Sequence, residues 1–100
     1  MGIQVENQAA LWFKRELDLS DGSAVRLYPR YSSGGGLHPG FSLGIAAERP
    51  VDPGMAEEVE GVTFFMEQRD LWYMEGFDLE IAYAEAEDDI SYRYSPDSAQ

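Results

Sequence analysis

Residues Gly61 to Ile81 read "GVTFFMEQRDLWYMEGFDLEI", and the change of period inside this stretch decides the fold. Val62, Phe64 and Met66 recur at every second residue, which places them on one face of a strand. Leu71, Trp72 and Met74 then fall at helical spacing, so a short helical turn follows. Gly76 ends that turn as a left-handed cap, because a residue without a Cβ takes positive φ without a steric penalty. Beyond it, alternation returns through Leu79, Ile81 and Tyr83, and a second strand follows.

Toward the N-terminus, "AVRLYPRY" (Ala24–Tyr31) alternates, with Val25, Leu27 and Tyr31 on the core face and Arg26, Tyr28 and Arg30 on the other. Pro29 has no amide to donate, which predicts an edge or a bulge at that position. "FSLGIAAE" alternates again through Phe41, Leu43 and Ile45 and pairs with the preceding strand as a wide hairpin. "RPVDPGMAEE" reads as a turn cluster, since Pro50 and Pro53 fix backbone angles, Asp52 caps a turn and Gly54 allows positive φ. Ile3 and Val5 predict a short edge strand, and Asn7 stands at the N-cap of a helix over Gln8–Leu17. Ala10, Phe13 and Leu17 form the buried stripe of that helix, Trp12 widens it, and Lys14, Arg15 and Glu16 face water.

Toward the C-terminus, "EAEDD" (Glu85–Asp89) lacks the alternating ligands and central glycine of a calcium loop and reads as a solvated turn. "DISYRYS" supplies a further strand through Ile90, Tyr92 and Tyr94. Trp12, Trp72 and Tyr73 are core and rim aromatics. Several short strands around one long helix predict a strand-dominated α+β domain of two small packed sheets or a partial barrel. A single domain covers residues 1–95, and residues 96–100 form a disordered tail.

The chain has 100 residues, 44% of them hydrophobic, enough for one core and too few for two. It has no cysteine, which excludes disulfides, thiolate nucleophiles and cysteine-held clusters. A formal net charge of -12 opposes binding to nucleic acid or an anionic membrane. The charge is unevenly spread. In residues 1–50, Glu6, Glu16, Asp18, Asp21 and Glu48 balance Lys14, Arg15, Arg26, Arg30 and Arg49, and the whole acidic excess falls in the second half. No apolar run is long enough to span a membrane and the N-terminus lacks a signal-peptide pattern, so a cytoplasmic protein is expected.

The chemistry-bearing candidates gather around "RYSSGGGLHPGFSLGIA" (Arg30–Ala46). Ser32, Ser33, Gly34, Gly35 and Gly36 form a flexible run that lacks the Lys-Ser/Thr ending of a phosphate loop. Neither serine has the base and oxyanion hole that a nucleophile needs, so no hydrolase is expected. His38 is the only histidine and precedes Pro39 in an extended turn. A metal site needs about three or four ligands, and His38 would have only carboxylates to join it. Arg26, Tyr28 and Arg30 suit two arrangements equally, a lining for an acidic ligand or pairing with neighbouring acids.

The phrases "AALWFKRELDL", "VRLYPRY", "PGFSLGIA", "PVDPG" and "GVTFFMEQRDLWYMEGFDLEI" together resemble the HesB-like superfamily, which includes the A-type iron-sulfur carriers. The closer likeness is to its cysteine-free YneR-like branch. The resemblance implies two small packed mixed sheets, one N-terminal helix and one short helix. In the carriers, one cluster cysteine lies in the loop after the strand resembling "VRLYPRY", and a Cys-Gly-Cys pair lies near the C-terminus. This chain has Ser33, Gly34 and Gly35 near the first place and "YSPDSAQ" near the second. The resemblance therefore implies the fold without the cluster.

The function expected on these grounds is a non-enzymatic HesB-like domain, without a cofactor, that binds a protein partner or a small ligand. Arg26, Tyr28, Arg30, Ser32, Ser33, Gly34, Gly35, Gly36 and His38 are the candidate binding residues. The alternative is a cysteine-independent iron- or other metal-binding or delivery protein using His38 with carboxylates. The sequence leaves the oligomeric state open.

Overall fold

A computed structural model describes residues 1–33 and 37–97. Its elements are β1 (Ile3–Val5), helix α1 (Asn7–Glu16), β2 (Ala24–Tyr31), β3 (Phe41–Ala47), β4 (Pro53–Val59), β5 (Val62–Glu67), a 3₁₀ helix (Gln68–Met74), β6 (Phe77–Ala84) and β7 (Asp89–Pro96). The strands form two sheets, ordered β1-β6-β7 and β3-β2-β5-β4. Each is mixed: β1 runs parallel to β6 and β2 parallel to β5, while the other neighbours are antiparallel. The expected two-sheet α+β architecture with one long and one short helix is present.

The core lies between the sheets and under α1. Phe13 of α1 meets Phe64 of β5 edge-on, with ring centroids 5.2 Å apart. Around them Val25, Leu27, Val62, Met66, Tyr73, Met74, Leu79 and Ile81 are buried. The alternation in β2, β5 and β6 puts these side chains on one face, and burying each fully is worth about 1.5–3 kcal/mol for residues of this size. Helix α1 begins one residue earlier than the sequence predicts. Asn7 is its first residue, and the Glu6 backbone occupies the cap position without a side-chain cap bond. The Glu6 carboxylate instead accepts the Tyr83 amide at 2.9 Å, tying the helix start to β6.

The other end of α1 is tied to the β6–β7 turn. Trp12 Nε1 donates to the Asp88 carbonyl at 2.9 Å, and Arg15 and the Tyr83 hydroxyl both donate to Asp88 Oδ1 at 2.7 Å. The Tyr83 hydroxyl, aided by Arg15, holds the Asp88 carboxyl below the usual range. "EAEDD" is thus the exposed turn expected of it, with Asp88 engaged by α1 and β6.

Three expectations are corrected. The segment read as a turn cluster contains β4, a full edge strand paired antiparallel with β5. Its Pro53 and Gly54 open it, and a Cβ at Gly54 would sit 2.5 Å from Leu71 Cδ1, so glycine is there to let the 3₁₀ helix approach. β2 is an inner strand, not an edge, yet its pairing with β5 ends at Arg26, so Pro29 faces no ladder partner on that side. Tyr31, assigned to the core face, is 87% exposed because β2 runs past the core there. Gly76 does take the expected positive φ, at 87°. β7 runs through Pro96, and the Asp97 amide donates to the Gly76 carbonyl at 2.9 Å. Of the expected tail, residues 98–100 lie outside the described residues.

The β3–β4 connection is held by the buried Glu67 carboxylate, which accepts the Asp52 amide at 3.0 Å and the Val51 amide at 3.2 Å. Hydrogen bonds to a buried charge are worth about 1.5–3 kcal/mol. Glu67→Ala should therefore lower unfolding stability by about 2 kcal/mol, and Glu67→Gln, which keeps one acceptor oxygen, by about half that. Urea denaturation with an unchanged m value checks both.

Candidate functional site

Because β2 and β5 part after Arg26, the 3₁₀ helix passes beside the far half of β2 and contributes to both faces of that region. On the outer face, Arg26 Nη2 donates to Asp70 Oδ2 at 2.8 Å, and Nη1 to Glu48 Oε1 at 3.4 Å. The side chains of Arg26 and Asp70 are only 15% and 13% exposed. The Asp70 hydrogen bond raises the Arg26 pKa above its ordinary value, so the guanidinium stays charged. It lies 5.1 Å from the centroid of the Tyr28 ring, within cation–π range. Tyr28 in turn lies over Gly44, where a Cβ would come within 2.7 Å of Tyr28 Cζ.

Arg26 is therefore engaged in acid pairing. Its partners come from the 3₁₀ helix and from the residue just beyond β3. Arg30 differs. It is exposed, its Nε donates to Ser42 Oγ at 3.4 Å, and it has no ion pair among the described residues.

On the other face, the β2–β3 connection leans on the 3₁₀ helix. The Leu37 amide donates to the Tyr73 hydroxyl at 3.3 Å. His38 Nε2 lies 3.1 Å from the Tyr73 carbonyl, and since a carbonyl only accepts, this nitrogen carries the proton. The His38 ring packs against Tyr73 and Trp72 at 5.3 and 5.8 Å. Trp72 meets Phe41 edge-on at 5.3 Å, and Phe41 lies 4.9 Å from Tyr31. Tyr31, Phe41, Trp72 and His38 thus form a continuous aromatic surface, with Trp72 46% exposed and Tyr31 87%. Ser32 donates its amide to the Gly40 carbonyl at 2.9 Å, and Ser33 is exposed. Gly34, Gly35 and Gly36 lie outside the described residues.

The sequence brought His38 and the serines into view but not the aromatic surface. Phe41 and Tyr31 carried a core-face signal, and Trp72 meets them only through the tertiary fold. No group of three or more His, Asp or Glu side chains suited to a metal ion occurs among the described residues. Beneath this surface Tyr73 meets Tyr94 edge-on at 6.4 Å. Burial pushes the Tyr92 phenol up to about 12. Burial, reinforced by the Tyr73 hydrogen bond, raises Tyr94 as well.

The two mixed sheets and their helices are the HesB-like fold of the A-type iron-sulfur carriers. The crystal structure of Escherichia coli SufA, described as involved in biosynthesis of iron-sulfur clusters, superposes with a TM-score of 0.56. The match covers 99% of this chain and 83% of that one at 18% identity, a likeness of fold alone. No family model matches the chain. A Bacillus subtilis protein named pyruvate dehydrogenase inhibitor is 39% identical over 94 residues, spanning 94% of this chain and 99% of the relative. Uncharacterized proteins of Staphylococcus saprophyticus and Staphylococcus aureus are 34% and 32% identical over 95 residues. The chain belongs to the family of these proteins.

Removing one partner of a buried ion pair typically costs about 3–5 kcal/mol, because the other charge is left unpaired. With both groups slightly exposed, Asp70→Ala should destabilise by about 3 kcal/mol in chemical denaturation, and Arg26→Met combined with Asp70→Leu should recover most of the loss. Tyr92 adds a pH dependence. Above about pH 10 the unfolded chain releases a phenolic proton that the folded chain keeps, so stability falls by about 1.4 kcal/mol per pH unit for this group. The fall continues until folded Tyr92 ionises at about 12. Tyr92→Phe should flatten this alkaline slope in stability curves measured between those limits.

Proposed function

We propose that the chain is a non-enzymatic inhibitor of pyruvate dehydrogenase, acting in the cytoplasm, that binds its target through the Tyr31–Phe41–Trp72 surface and the adjoining loop with Ser32, Ser33 and His38. The observation that carries this reading is the 39% identity to the Bacillus subtilis inhibitor across 99% of that protein. The surface suits protein binding. Tryptophan and tyrosine are among the residues that dominate interface hot spots, and here Trp72 and Tyr31 are both exposed. Tyr28 seated on Gly44, with Arg26 pinned to Asp70, occupies the neighbouring sheet face with the chain's own side chains, which leaves the aromatic surface as the place for a partner. A cysteine-free chain has no thiolates with which to hold a cluster, so the work of a carrier is not part of this reading.

The test is titration of the purified chain into purified pyruvate dehydrogenase complex while its overall reaction is followed. Saturable inhibition is expected, with Trp72→Ala and Tyr31→Ala each raising the half-inhibitory concentration by about tenfold or more. Full activity under a molar excess of the chain would remove the proposed target. Inhibition unchanged in both variants would remove the aromatic surface.

A further inference from the structure

The two sheets have four edge strands, and three carry features that discourage pairing with another chain. β1 has only three residues. β4 has Pro53, a register shift between Pro53 and Met55, and Glu57 with Glu58. β7 has Asp89, Arg93 and Pro96. β3 has none of these. Its sequence "FSLGIAA" carries no charge and no proline, and it stays in unbroken register with β2 from Phe41 to Ala47. An edge of this kind is a template for another strand.

The register shows which groups it offers. The Ser32 amide bonds to the Gly40 carbonyl, and antiparallel rows alternate between bonded and unbonded. The bonded rows are therefore Arg30 with Ser42, Tyr28 with Gly44 and Arg26 with Ala46, while Pro29, which has no amide, stands opposite Leu43 in an unbonded row. The amides and carbonyls of Leu43, Ile45 and Ala47 consequently point away from β2. The Phe41 amide is folded back onto the His38 carbonyl at 3.2 Å.

We propose that β3 pairs antiparallel with β3 of a second copy of this chain, about a twofold axis at Gly44, joining two four-stranded sheets into one of eight strands. In that register Leu43 faces Ile45 of the other copy, and Phe41 faces its Ala47, so apolar meets apolar and large meets small. Odd-numbered residues meet odd-numbered residues, which brings the outward backbone groups of both copies face to face. Charge also fits. The strand is neutral, and the half of the chain that contains it is balanced, the acidic excess lying in residues 51–100. The remaining long-range repulsion between two acidic chains is screened by salt. The proposal stands apart from the inhibitor reading, and either can fail alone.

Sedimentation velocity of the full chain across micromolar concentrations should show a monomer–dimer equilibrium that tightens as salt is added. Ala47→Pro deletes an amide that β2 does not use, and should raise the dimer dissociation constant by about tenfold or more, whereas Ala47→Ser should leave it within about twofold. A second measurement does not depend on that variant folding. Ser42 faces Ala46 of the other copy in an unbonded row, where Cα atoms stand about 4.5 Å apart, inside disulfide range. In a chain without native cysteine, Ser42→Cys with Ala46→Cys should oxidise to a covalent dimer, and Ser42→Cys alone should not. A monomer at every concentration overturns the proposal, as does a dimer that is neither weakened by Ala47→Pro nor trapped by the cysteine pair.

Discussion

The buried ion pair between Arg26 and Asp70 is the contact on which the site region depends. β2 and β5 run side by side only from Ala24 to Arg26, and beyond that point the ladder gives way to the 3₁₀ helix. Without a ladder, this helix is held by side chains, to β2 through the Arg26 guanidinium on Asp70 at 2.8 Å and to β4 through Leu71 against Gly54. The Glu67 carboxylate, just before the helix, anchors the β3–β4 connection from the other side. Every aromatic contact of the exposed surface runs through Trp72 or Tyr73 of that helix or through Phe41, which Trp72 supports. A charge pair of this kind holds geometry more than it adds stability, since desolvation offsets much of its attraction.

Where the resemblance places a cluster cysteine, near Ser33, the connection is held to the protein by ordinary hydrogen bonds. Leu37 and His38 both lean on Tyr73, one through the hydroxyl and one through the carbonyl. This gives His38 a structural contact as a donor to the backbone of the 3₁₀ helix.

Much of the architecture was legible in residue pattern. Alternation in "AVRLYPRY", "FSLGIAAE", "VTFFME" and "FDLEIAYA", the 3.6-residue stripe of Ala10 and Phe13, and Gly76 as a left-handed cap all correspond to elements in the structure. These features are local: a period of two or 3.6 and a residue without a Cβ act through the backbone and the core face alone. β4 escaped because its strand character is not local. Pro53, Gly54 and the acids Glu57 and Glu58 read as turn and surface, and only the ladder to β5 makes them a strand.

The sequence by itself determined a cysteine-free, acidic, strand-rich domain with one core, and it drew attention to the loop that follows β2. The tertiary structure decided what surrounds that loop. Tyr31 has the parity of a core residue but sits where β2 outruns the core, and Trp72 reaches Phe41 from 31 positions away along the chain. The partner of Arg26 lies 44 residues distant on a helix that takes the place of a strand. Such meetings depend on where two sheets stop pairing, a property of the packed whole that no periodicity in the chain encodes.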